Sequence, residues 1–199
     1  TITTLPSYTS ILTNGALSVT GTVNGTVSDT LVLRGNGLTQ SAPVKAGNLL
    51  LLGQGAMDFS TQPNEFTTIA ADMSGGSLSL RNAHAMKVAK VVNRNDADKE
   101  VEGLKTQSTK LKVDGGKLDL SGGIQSANDT EITADDMDLG DKLSVGGILK
   151  LKKNTKSQAI DIGAGSGKWN VNKANYGSIE IGGADQVGDV NIDGTQFKK

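Results

Sequence analysis

The chain has 199 residues, with 20 Lys and Arg against 21 Asp and Glu, and its formal net charge of −1 gives no global basic field for nucleic acid or an anionic membrane surface. It carries 26 glycines, 3 prolines, no cysteine and only 3% aromatic residues, which excludes a disulfide framework, a thiolate metal site and a core filled by large rings. The interior must then be built from Leu, Ile, Val and Ala in thin, regular layers, and no stretch reaches the roughly 18 consecutive apolar residues of a spanning helix. The opening "TITTLPSYTS" lacks the basic-then-apolar form of a signal peptide, so the chain reads as mature or as an excised piece. Avoidance of cysteine also suits proteins that cross an envelope unfolded, because a premature disulfide would block passage.

The predicted elements are short strands of one kind. Apolar-polar-apolar triplets occur at 17–19, 57–59, 78–80, 86–88, 111–113 and 118–120, and continue at 137–139, 143–145, 149–151, 160–162, 169–171, 179–181 and 190–192. Period-2 alternation bounded by Gly, Asn, Asp and Ser marks a strand whose middle residue points outward. Leu31-Val32-Leu33 and Leu49-Leu50-Leu51-Leu52 are fully apolar versions. Glycine-rich corners such as "GNG" at 35–37, "GQG" at 53–55 and "IGG" at 181–183 separate them.

Spacing decides how these strands are arranged. Leu17, Leu38, Met57 and Leu78 follow at 21, 19 and 21 residues, and Leu31, Leu50, Ile69 and Val88 keep a second track at 19. Leu111, Ile132, Leu151, Val171 and Ile192 resume at 21, 19, 20 and 21. Fixed spacing of about 20 residues is what stacking each strand on its equivalent requires, whereas a sandwich built from hairpins has no reason for it. The expected fold is all-β, a right-handed parallel β-helix of about nine to ten rungs in one domain, with residues 1–15 as a cap, a continuing rung or a strand donated to a neighbour. Open rung ends are strand edges, so uncapped ends would pair with other chains. Residues 93–110, "NRNDADKEVEGLKTQSTK", are highly charged and hold no triplet; they are expected as an inserted loop or short helix. That insertion carries the candidate partner-binding residues Arg94, Asp96, Asp98, Lys99 and Glu100.

Chemical motifs are weaker. "GAGSGKW" at 163–169 lacks the leading glycine and the final Ser or Thr of a phosphate loop, having Ile162 and Trp169 at those positions, and reads as a corner. The acidic run Asp135, Asp136, Asp138, Asp141 matches no EF-hand, and Asp138 faces out of its triplet. His84 is the only histidine and reads as a turn residue, while Trp169, inward in its triplet, reads as core. A polysaccharide lyase or hydrolase would cluster Asp with Arg, Lys or His on neighbouring rungs; the outward residues vary instead as a solvated face does. No cofactor, metal or catalytic residue is expected, and the chain is expected not to be an enzyme.

The stretch 37–88 carries "GLTQSAPVKAGNLLLLGQGAMDFS", an Ile-Ala-Ala strand and Gly-Ser-Leu-Ser-Leu with Asn-Ala, and 132–192 carries Ile-Asp-Ile-Gly followed by Ser-Ile-Glu-Ile-Gly. Both resemble repeating units of filamentous-haemagglutinin-like large exoproteins of Gram-negative bacteria. The resemblance implies a right-handed parallel β-helix exported by two-partner secretion to the cell surface or medium, acting as an adhesin, haem-scavenging protein or toxin-delivery stalk. "QPNEF" at 62–66 is not the motif of the amino-terminal secretion domain, so the resemblance places the chain in the fibre itself. Expected partners are a host glycan or matrix protein, neighbouring copies of the chain, and an outer-membrane secretion partner. A self-assembling filament subunit and, behind it, a β-helix polysaccharide-active enzyme are the alternatives.

Overall fold

The computed structural model describes residues 4–97 and 99–193. It is all-β, with one short 3-10 helix at Val171–Lys173. The first strands are β1 (Tyr8–Leu12), β2 (Leu17–Val19), β3 (Thr30–Gly35), β4 (Leu38–Gln40), β5 (Lys45–Gly53), β6 (Met57–Asn82) and β7 (Met86–Val88). Next come β8 (Lys90–Asn93), β9 (Lys99–Glu102), β10 (Leu104–Val113), β11 (Lys117–Asp119), β12 (Ile124–Ser126), β13 (Thr130–Thr133) and β14 (Asp136–Asp138). The last are β15 (Leu143–Lys152), β16 (Ile160–Ile162), β17 (Asn175–Ile181) and β18 (Val190–Ile192). Fourteen strands form one sheet and every pairing in it is parallel.

Register puts like residues on like. Leu33 pairs with Leu51, Leu51 with Ala71, Ala71 with Leu104, Leu104 with Ile124 and Ile124 with Leu143, and all six are buried. A second row runs Leu80, Leu111, Ile132, Leu151, Ile181. These rows are the interior: each aliphatic side chain meets its equivalent on the next strand, about 4.8 Å away. One buried cluster extends in this way from Leu5 to Ala174. Its largest rings, Phe59 and Phe66, meet edge to face at 6.0 Å. Trp169 is also buried in it.

Backbone is packed on backbone at the corners, and glycine is what makes room. A Cβ on Gly47 would lie 2.0 Å from the Val27 carbonyl oxygen, and one on Gly55 would lie 2.1 Å from the Asn36 carbonyl carbon. Neither contact can be relieved by a rotamer.

Several spacings depart from the expected ones. Leu17, Leu38 and Met57 pair in one row, but Leu31 pairs with Leu49, 18 residues on, so Leu50 points to the opposite face. The charged segment 93–110 is not one loop or helix. β8 and β9 pair antiparallel as a hairpin, and 104–110 already belong to β10, with Leu104, Thr106 and Thr109 buried. Threonines fill inward positions there and disguise the strand. Later, Leu151 pairs with Ile181 and not with Val171, because a second insertion, holding β16 and the 3-10 helix, separates β15 from β17. Trp169 makes an isolated bridge to Ile162, and Ile192 pairs with Ile162. Near the start, β1 pairs along its length with β3 of the same chain, and the Leu5 N–H donates to the Asn24 carbonyl at 2.9 Å.

Candidate functional site

The hairpin that holds the candidate residues lies against the outer face of β3, β5 and β6. Val91 packs with Val32, Leu50, Leu52 and Ala70, with Tyr8 and Val101 at the margin. The all-apolar strands are explained by this cover: Leu31, Leu33, Leu49 and Leu51 face the interior, while Val32 and Leu50 face the hairpin. Strands buried on both faces lose the polar alternation of half-exposed ones.

Tyr8 anchors the tip. The Arg94 guanidinium lies 5.1 Å from the centre of its ring, and the Arg94 backbone N–H donates to its hydroxyl at 2.9 Å. Asn95 Nδ2 donates to the same hydroxyl at 3.3 Å and to Ser10 Oγ at 2.5 Å. Asp96 pairs with Lys99 at 3.8 Å, and Glu100 pairs with Lys90 at 2.6 Å. The Glu100 carboxylate, hydrogen-bonded to the Lys90 ammonium, holds that lysine above its ordinary pKa. Asp98 lies outside the described residues. The four described residues of the predicted set are thus brought onto one hairpin, but Arg94 is turned onto Tyr8 and the other three charges are matched within the hairpin. Exposed pairs of this kind contribute little to stability.

Two motifs that the sequence keeps apart meet elsewhere. Asp135, Asp136 and Asp138 face Gly165, Ser166, Gly167 and Lys168 across a cavity of about 460 Å³, with Lys117 and Lys173 on its walls. Asp138 is taken by Lys117 at 3.5 Å, and the Asp135 carboxylate accepts the Thr155 N–H at 2.8 Å and its hydroxyl at 2.7 Å. Among the described residues no group of three or more His, Asp and Glu side chains is placed to hold a metal ion. His84 sits exposed in the bend between β6 and β7.

The rest of the outer surface carries charge ladders. Glu131 lies between Lys110 at 3.4 Å and Lys152 at 3.3 Å, and Lys150 pairs with Glu180 at 3.3 Å. Burial acts to raise the Glu131 carboxyl, but the two lysines outweigh it and hold the group below its ordinary pKa. Asp119 is lowered in the same way: burial opposes, and the Ser121 N–H and Lys87 prevail.

Sequence reasoning missed Asn64, which is fully buried. Its Oδ1 accepts the Val44 N–H at 2.9 Å, and its Nδ2 contacts the carbonyls of Phe59 at 2.9 Å and Arg81 at 3.1 Å and the side chain of Gln40. It ties three successive passes of the chain together at one corner. Compared with known proteins, the chain matches no family model, no curated protein and no solved structure.

Proposed function

We propose that the chain is a segment of a right-handed parallel β-helix of about nine to ten rungs, from a secreted or cell-surface fibre of the filamentous-haemagglutinin-like kind. Its role in this reading is structural and adhesive: a stiff rod that presents side-chain rows to a host glycan, a matrix protein or other chains, without catalysis or cofactor. The observation that carries the reading is the row Leu33, Leu51, Ala71, Leu104, Ile124, Leu143, six parallel strands with one aliphatic position in register. Aliphatic ladders and continuous parallel hydrogen bonding give the stiffness and protease resistance that a fibre needs, and repeated weak contacts along it add through avidity. Export through an outer-membrane partner belongs to the same proposal.

Small-angle X-ray scattering of the purified chain tests the shape. An elongated particle of uniform cross-section, about 45 Å along the axis for nine to ten rungs, is expected; an isometric particle refutes the rod. The alternative of a self-assembling filament subunit is favoured by β18 and the turn before it, where Val190, Ile192 and Val187 are exposed. Negative-stain electron microscopy with and without residues 1–13 separates the two: fibres that vanish on truncation make it a filament subunit, and isolated short rods in both samples favour the stalk.

A further inference from the structure

Three cavities follow one row of the outer surface, the first over its early strands and the other two on either side of its later ones. The first, of about 530 Å³, is walled by Asn14, Asn36 and Gln54 and floored by Arg34, Leu52 and Asp72. It meets the second, of about 280 Å³, at Ser74, and the second shares Lys105, Gln125 and Ser144 with the third, of about 330 Å³. The floor is a single row of register partners: Arg34 pairs with Leu52, then Asp72, Lys105, Gln125 and Ser144 follow. Five steps between parallel strands make this row about 24 Å long, with Arg34 and Lys105 about 14 Å apart.

The charges in this row are handled differently from those beside it. On the neighbouring faces lysines alternate with acids and pair with them, as in Lys110, Glu131 and Lys152, Lys150 and Glu180, or Lys87 and Asp119. Among the described residues Arg34, Asp72 and Lys105 make no ion pair and no side-chain hydrogen bond, although Asp72 and Lys105 are direct register partners. The amides of Asn14, Asn36 and Gln54 are likewise unengaged and exposed. Farther along, the corner amides are tied down: Gln107 Nε2 donates to the Ser74 carbonyl at 2.7 Å, and Asn128 Nδ2 to Gln107 Oε1 at 3.3 Å. One wall of the third cavity is fixed by the Glu102–Lys142 pair at 2.8 Å, which joins the end of the hairpin to the loop before β15.

We propose that this axial groove binds a linear polysaccharide carrying carboxylate groups. The occupant must be extended, because the groove is long, shallow and straight. It must be rich in hydroxyls, because the free amides both donate and accept and Asp72 only accepts. Its carboxylates are held at two separated points, because the two cations stand three strands apart, and hydroxyls of the intervening sugars donate to Asp72 between them. The guanidinium of Arg34 takes a carboxylate in two parallel hydrogen bonds, and Lys105 takes one as a point charge. The inference rests on the binding-surface reading above and narrows it to one face and one ligand class.

Isothermal titration calorimetry of the full chain with an oligogalacturonate long enough to span the row, against a neutral malto-oligosaccharide, tests it. Binding of the acidic oligomer that weakens with added salt is expected, with affinity lowered at least about tenfold in the Arg34→Glu, Lys105→Glu double variant. A Lys168→Glu variant in the other cavity is expected to bind as the parent does. Unchanged circular dichroism shows that each variant is folded, since all three positions are exposed. Absence of heat with the oligogalacturonate, equal affinity in the double variant, or equally tight binding of polyglutamate would each overturn the proposal. Rod-shaped scattering with no glycan binding removes the groove alone and leaves the fibre standing.

Discussion

Replacing Asn64 by leucine keeps the volume of the side chain and removes its hydrogen bonding. The Val44 N–H then loses the acceptor it reaches at 2.9 Å, and the carbonyls of Phe59 and Arg81 lose a donor at 2.9 and 3.1 Å. All of this happens at a residue with 0% exposure, so water cannot substitute. A buried donor left without a partner costs roughly 1–3 kcal/mol and each lost neutral bond about 1 kcal/mol, which gives a loss of about 3–5 kcal/mol before any gain from the added apolar contact. That is a large share of the roughly 5–15 kcal/mol that holds a domain together. Urea unfolding followed by circular dichroism measures it. Asn64→Asp is the diagnostic companion: it keeps the acceptor for Val44 but aims a carboxyl at backbone carbonyls, so its folded-state pKa is raised, and its stability is present at low pH and lost as pH rises through that value. If Asn64→Leu unfolds within about 0.5 kcal/mol of the parent, the range of ordinary surface changes, the corner is not held by this side chain and the argument fails.

Leu50→Ala, at a strand position that alternation would place in solvent, is expected to lower stability by about 2–5 kcal/mol in thermal melts, because the residue is fully buried beneath the hairpin. Glu131→Gln is expected to cost up to about 1 kcal/mol at neutral pH. Because the Glu131 pKa is depressed below 4.5, that contribution is present above 4.5 and lost as pH falls through the folded-state value, so parent and variant converge in acid denaturation. Thr130→Val is expected to raise stability by about 1 kcal/mol in urea titrations, since the Thr130 hydroxyl is buried without a hydrogen-bond partner among the described residues. Gly47→Ala is expected to unfold at lower urea than the parent, because its Cβ would meet the Val27 carbonyl oxygen at 2.0 Å.

Period-2 triplets at near-constant spacing made the all-β class and most parallel rows legible, because a pleated strand must alternate and stacked strands must repeat. Two things hid the rest. Inward polar residues broke the pattern where a strand continued: Thr106 and Thr109 satisfy each other through hydroxyls 2.6 Å apart, so the interior accepts them, yet in sequence they read as loop. Conversely, Val171 fell about one period after Leu151 by coincidence, inside an insertion where no strand pairs with β15. The groove was illegible for a different reason. Arg34, Asp72 and Lys105 are separated by 38 and 33 residues, and only the register of β3, β5, β6 and β10 puts them in one line.

The charged insertion and the all-apolar strands, which look unrelated in sequence, are two halves of one device. An outward Val32 and Leu50 would leave an aliphatic patch on the surface, the kind of feature that drives association. The hairpin leaves the sheet after Ala89, covers that patch with Val91 and Val101, and returns at Gly103, where the Ala71 N–H donates to its carbonyl at 2.9 Å and β10 resumes the pairing. Its charged residues are the solvent side of a cover, which accounts for their pairing with one another. Covering ends within the next outward row, however. Leu52 is the last residue under the hairpin, and Arg34 and Asp72, its register neighbours, remain open beside it. The same segment that seals the apolar face therefore supplies the wall of the polar groove, and a change that detaches the hairpin would alter both.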